Sequence, residues 1–241
     1  MRHLKLSLAL VVGVAITCSL ALNAQIPKED TPSFDAGGVQ IAVPMPWNGA
    51  VELDPEKRHF MDQFVPPSNR LIAGYADSDD LPNIHPQDIK APPRIAVVAV
   101  SRQYESTNIT ESGFRQIIES AAGGFNATVS NYAKDNENSF NQKLKELNLD
   151  AAHLTFTQPL SLGCLFSTPN TAGFGTVMQV SLSAPDGTQN SLTKALSVIF
   201  VRAKSRVLFA YIFATYKDKD TVIWLRKASE DWAKQIVERN E

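Results

Sequence analysis

Cysteine and histidine are both scarce in this chain, and their scarcity closes off much chemistry before any fold is considered. The two cysteines are Cys18 and Cys164. Cys18 falls inside an uncharged apolar run near the start, so a product that sheds this run keeps one thiol and closes no intramolecular disulfide. Of the four histidines, those beyond the opening residues are His59, His85 and His153, and no pair has HxxxH spacing; no CxxC occurs either. A zinc site has no ligand set to build on, and no metal or other cofactor is expected. There is no G-x-S-x-G elbow and no papain-like surround at Cys164. Gly173-Phe174-Gly175 runs into a strand pattern rather than opening a helix, which argues against a phosphate cradle. No catalytic set is expected; the one pairing left to weigh is Cys164 with His153, eleven residues before it. In Leu162-Gly163-Cys164-Leu165-Phe166 the plainer expectation for the thiol is a small buried hydrophobe.

Charge is missing from one place in particular. Leu6 to Leu22 carries none across 17 residues, with Arg2, His3 and Lys5 before it and Ala21-Leu22-Asn23-Ala24-Gln25 after it. A basic start, an apolar middle and a small-residue exit are the parts of a secretory signal, with cleavage expected after Ala24. The run is close to the minimum of about 17 residues for a membrane span, so an uncleaved chain would stay anchored by it. Lipid attachment at Cys18 is disfavoured by Thr17, which stands where a small Gly, Ala or Ser is expected. The sequence thus divides into a signal peptide 1–24, a flexible lead 25–38 containing Pro27 and Pro32, and a domain 39–241. The expected destination is secreted or periplasmic, with no membrane association after cleavage.

Loss of Arg2 and Lys5 from 23 basic residues leaves 21 against 25 acidic ones, a mild net negative charge that gives no reason to expect nucleic acid as a partner. The 217 residues left of 241 are enough for one core without disulfide staples.

Along that domain, Val39-Gln40-Ile41-Ala42-Val43 alternates and stops at Pro44, because proline cannot donate to a ladder. Leu71 to Tyr75 and Arg94 to Tyr104 read as strands, separated by a loop from Asp77 to Pro93 punctuated by four prolines, Pro82, Pro86, Pro92 and Pro93. Phe114, Ile117, Ile118 and Ala121 predict one helix ending at Gly123-Gly124, and Phe140, Leu144 and Leu147 a second behind Asp135. Val177 to Leu182 alternates into Pro185-Asp186-Gly187, a turn signal. Ala195 to Val201 and Val207 to Tyr216 predict a hairpin whose turn type stays open, since Lys204 to Arg206 offers no Gly or Asn. Val207 to Ala214 is apolar on both alternating faces, so this strand is expected to be central. A final helix capped by Asp220 or Thr221 carries Val222, Leu225, Trp232 and Ile236 on one stripe. Grouped, hairpin-linked strands with helices inserted and appended predict an α+β fold, a mainly antiparallel β-sheet sandwiched by helices.

The early strand closing on Val43-Pro44 with Trp47 after it, and the ending of hairpin, Thr215-Tyr216, Trp224, Trp232 and Asn240, resembles small exported bacterial proteins of the PsbP-like class. The resemblance covers the two ends of the chain. Ser205-Arg206 departs from the Gly-Arg expected at the late turn, and Asn48 to Asn69 matches nothing in the class. It implies an antiparallel sheet between helices and an accessory subunit of a larger complex, without catalytic residues.

The expected function is a non-enzymatic binding or assembly accessory in the cell envelope with a protein partner. The loop supplies the partner-binding candidates Asp77, Asp79, Asp80, His85 and Asp88, since long loops in compact domains are often functional. As a calcium loop it fails, with Pro82 where an EF-hand needs glycine and Asp88 in place of the bidentate glutamate. Trp47, Tyr216 and Trp224 are candidates for an aromatic groove, with core packing as the plainer alternative. The rival functions are an exported hydrolase or thiol enzyme using Cys164, and a small-ligand carrier with a pocket between sheet and helix.

Overall fold

The computed structural model describes residues 31–62, 65, 68–81, 93–146, 153–183 and 189–241. The expected signal segment, residues 82–92 of the proline-rich loop and the turn expected at Pro185-Asp186-Gly187 lie outside them.

The late hairpin organises the rest. Strands β9 (Gln189–Ala203) and β10 (Arg206–Thr215) pair antiparallel from Arg206↔Ala203 to Thr215↔Lys194. Lys204 and Ser205 between them have φ of 46° and 62°, the doubly left-handed geometry of a type I′ turn. Neither residue favours that conformation, at roughly 1 kcal/mol each, and the long ladder that follows holds them there.

β10 also pairs with β5 (Arg94–Ser101), which pairs with β4 (Asn69–Asp77), which pairs with β3 (Ala50–Glu52). On the other side β9 pairs with β8 (Thr171–Ser183). Strands β6 (His153–Phe156) and β7 (Leu160–Ser167) then follow each other along the outer edge of β8. All of these pairings are antiparallel in one eight-stranded sheet, with β10 well inside it as its two apolar faces predict.

Leu208, Ala210 and Ile212 face the helix α3 (Lys219–Glu238), packing with its Leu225, Ala228, Trp232 and Ile236. Val207, Phe209, Tyr211 and Phe213 face the opposite way, into a second core with Phe114 and Phe125 of the helix α2 (Glu111–Glu146). The sheet therefore lies between helices, an α+β sandwich.

Four local expectations are corrected. The two predicted helices are one 36-residue helix, α2, which passes through Gly123-Gly124 without a left-handed residue. Glycine costs a helix about 1 kcal/mol relative to alanine, too little to stop one whose flanks are held by packing. Within the expected lead, Ser33–Ala36 forms strand β1 and pairs with β2 (Val39–Ala42) around the positive-φ Gly37-Gly38. The cap of α3 is Asp218, whose carboxylate accepts from the N–H groups of Asp220 and Thr221. Cys164 is exposed rather than buried. Gly163, at φ 75°, and register shifts on both sides of this stretch turn the side chain outward. A further helix, α1 (Pro55–Asp62), stands in the stretch left without a reading, started by Asp54 accepting from the Lys57 N–H at 2.9 Å.

Three of the residues behind the PsbP-like resemblance, Val43, Pro44 and Trp232, lie in one clamp. Trp232 Nε1 donates to the Pro44 carbonyl at 2.7 Å, and the Tyr75 hydroxyl donates to the Val43 carbonyl at 3.1 Å. The Tyr75 and Trp232 rings meet edge to face at 5.9 Å, holding the end of the first hairpin against α3 and the sheet.

Candidate functional site

Several chain segments end together where β4 runs out, β5 begins, β10 finishes and α3 starts. They enclose a pocket of about 630 Å³, lined by residues including Asp77, Asp79, Asp80, Arg94, Thr215 and Trp224. Its fixed wall is built around Arg94. The Asp77 carboxylate accepts from Arg94 Nε at 2.7 Å with one oxygen and from Trp47 Nε1 at 2.7 Å with the other. The Arg94 guanidinium then lies 5.6 Å from the Trp47 ring and 5.2 Å from the Trp224 ring, which meet each other at 5.8 Å. A cation packed on two indoles and bridged by a carboxylate is held in one orientation.

The opposite character comes from the turn after β4 and the start of α3. Asp79 and Asp80 face the pocket from the first, Asp218 and Asp220 from the second, with Lys217 beside them. Burial raises the Asp80 carboxyl above its ordinary range, helped by Asp77 and opposed by Arg94. Behind the wall sits Lys194, only 3% exposed. Its ammonium donates to Thr215 Oγ1 at 2.9 Å and reaches the Pro93 carbonyl at 3.5 Å. Burial pushes this ammonium down to about 8, against the pull of Asp80.

No family model and no curated protein matches the sequence. Among solved structures the chain is similar to a point mutant of the protein Mog1, at 13% identity over 88% of this chain and 95% of that one, with a TM-score of 0.32. It is similar also to the Saccharomyces cerevisiae Ran-binding protein Mog1p, at 13% identity over 85% and 89%, with a TM-score of 0.31. At these scores the likeness transfers neither a residue role nor a partner.

The fold brings together five residues that sequence reading had singled out under two headings, Asp77, Asp79, Asp80, Trp47 and Trp224, all in or against this wall. Tyr216 is half-buried against the core on the α3 side and does not line the pocket. His85 and Asp88 lie outside the described residues. Arg94, Lys194, Lys217, Asp218 and Asp220 are not singled out as site residues by the sequence, which marks Asp220 only as a candidate helix cap and Arg94 as a strand end. A lysine and an arginine at the ends of apolar strands are the signal that would have found the first two.

The thiol pairing is taken apart by the sheet. Cys164 is registered to Phe174 and His153 to Ser183, nine positions apart on β8. At about 3.3 Å per residue that is roughly 30 Å, so the two cannot act on one substrate atom. Among the described residues, no group of three or more His, Cys, Asp or Glu side chains is placed to hold one metal ion. Asp77 is in any case committed to Arg94 and Trp47.

Proposed function

We propose that this protein is an exported, non-enzymatic binding domain that recognises a protein partner through the pocket beside the N-terminus of α3. The observation that carries the reading is the wall itself: Arg94 held against Trp47 and Trp224 by Asp77, with the carboxylates of Asp79, Asp80 and Asp220 lining the same pocket. Three carboxylates around an opening favour a basic group of the partner, and indoles beside them supply apolar contact for its methylene stem. The PsbP-like resemblance of the chain ends supports an accessory role, and the basic-apolar-small order of residues 1–24 supports export to the envelope.

The test uses N-acetyl-tri-arginine amide as a stand-in for a basic segment. Titrated into isotope-labelled protein, it is expected to shift the indole N–H signals of Trp47 and Trp224, and to lose this effect in the Asp79→Asn, Asp80→Asn double variant. Unmoved indole signals at saturating peptide reject the pocket as a site for basic groups. Export is tested by the intact mass of the product recovered from the envelope, which should begin at Gln25.

The pocket volume of about 630 Å³ also suits a small ligand, which favours the carrier as a second reading. A co-purifying molecule in native mass spectra would decide for it.

A further inference from the structure

We propose that Lys194 is a built-in counter-ion that regulates how strongly the pocket attracts a cationic group. The inference rests on the pocket being a recognition site for such groups, and adds to that reading a residue that does not touch the ligand.

Lys194 belongs to β9 and is enclosed, with 3% of its surface exposed. Its ammonium is held by Thr215 Oγ1 at 2.9 Å and the Pro93 carbonyl at 3.5 Å, and both residues line the pocket. These two are themselves tied by the Thr215 N–H donating to the Pro93 carbonyl at 2.7 Å, so the ammonium lies one residue behind the wall. Its charge is felt by Asp80, and that of Asp80 by Lys194.

Among the described residues, the other charged groups lining the pocket come from three segments. Asp77 and Asp79 lie with Asp80 on the turn after β4, Arg94 on β5, and Lys217, Asp218 and Asp220 at the start of α3. Asp77 is paired with Arg94 at 2.7 Å and Asp218 is engaged as the helix cap, while Asp79, which accepts from the Ser78 hydroxyl, lines the pocket together with Asp80 and Asp220. Carboxylates and guanidinium groups keep their charges between pH 7 and pH 9. Lys194, with its affinity for a proton lowered by burial to about 8, loses its charge within that interval. Once it is neutral, Asp80 loses one of the two positive charges acting on it and keeps that of Arg94, and the pocket draws a cation more strongly. A single charge at this kind of distance through a partly wet pocket changes an association constant by about three- to tenfold.

The experiment measures binding of N-acetyl-tri-arginine amide, whose charge is constant over the range, to the purified protein by calorimetry from pH 6.5 to pH 9.5 at low salt. The wild type is expected to bind about three- to tenfold more tightly at pH 9 than at pH 7. Lys194→Met is expected to bind at pH 7 as tightly as the wild type does at pH 9, with no further gain. Lys194→Arg keeps the charge and should bind weakly and evenly across the range, so it decides the matter if the methionine variant does not fold. A flat wild-type profile overturns the inference while leaving the pocket as a recognition site. A rise of the same size in either variant does likewise. Absence of binding at every pH overturns the recognition reading and this inference with it.

Discussion

Asn240 grips Ala42 from both sides of its peptide unit: the side-chain oxygen accepts from the Ala42 N–H at 2.9 Å and the side-chain amide donates to the Ala42 carbonyl at 2.8 Å. The same amide nitrogen donates to the Ile236 carbonyl at 2.7 Å, so a residue beyond the end of α3 stands in for a neighbouring strand to β2. Asn240 is 5% exposed, which makes each lost bond expensive because the orphaned group cannot turn to water. Asn240→Ala should therefore destabilise the protein by about 2–3 kcal/mol, read as a fall in urea midpoint at unchanged slope. Asn240→Asp should do no better, since a carboxylate offers no donor to the Ala42 carbonyl. An alanine variant with an unchanged midpoint would refute the clamp.

This clamp also shows what the sequence could reveal. Trp232 and Val43-Pro44 were visible as spaced apolar residues, and the helix–sheet–helix plan followed from the two apolar faces of β10. Partners that meet only through the fold were not visible: Pro44 and Trp232 are joined by a hydrogen bond across 188 positions. The pocket was half legible for the same reason. Asp77, Asp79 and Asp80 stood out as a run, while Arg94 became informative only once β5 was seen to begin beside Trp47 and Trp224. Helix α1 was legible and missed, since Asp54-Pro55 is a capping residue followed by proline at the first helical position. The outward turn of Cys164 depends on the positive φ of Gly163, which the apolar look of its neighbours hides.

Exposure of that thiol gives a direct measurement. A buried cysteine reacts with iodoacetamide only after unfolding, whereas Cys164 on the edge strand β7 should be alkylated in the native protein to completion, without denaturant. Cys164→Ser should shift stability by less than about 0.5 kcal/mol, as for other exposed substitutions. Protection of the thiol until denaturant is added would contradict this placement.

Among the described residues, two hydroxyls are enclosed without a hydrogen-bond partner, Ser197 on β9 and Ser229 on α3. Both residues are fully buried, so each hydroxyl has given up its bonds to water and received none from its described neighbours. Ser229→Ala removes the unsatisfied group and improves helix propensity as well, and should stabilise by about 1 kcal/mol. For a chain of this size that is a rise of roughly 2–4 °C in the melting midpoint. A fall in the midpoint would mean that the hydroxyl is satisfied after all.

Lys194 predicts an unusual rise of stability into alkaline solution. Its ammonium is held near 8 in the folded protein by burial and returns to about 10.4 when the chain unfolds. Between those values the unfolded chain binds more protons than the folded one, so stability increases with pH, by up to roughly 3 kcal/mol across the window, and this group contributes no slope below it. Tyr75 works in the other direction above about pH 10: burial raises its phenol, so unfolding releases a proton there and stability falls. Lys194→Met removes the first effect and leaves the second. Exchanging an enclosed charge for an apolar side chain of similar length should also raise stability near pH 7, where the wild type holds the ammonium away from water. Urea titrations of both proteins from pH 7 to pH 10 should show the variant ahead at the start and the gap narrowing from about pH 8 upward. A gap that stays constant, or widens, would show that Lys194 keeps its ordinary proton affinity behind the pocket wall.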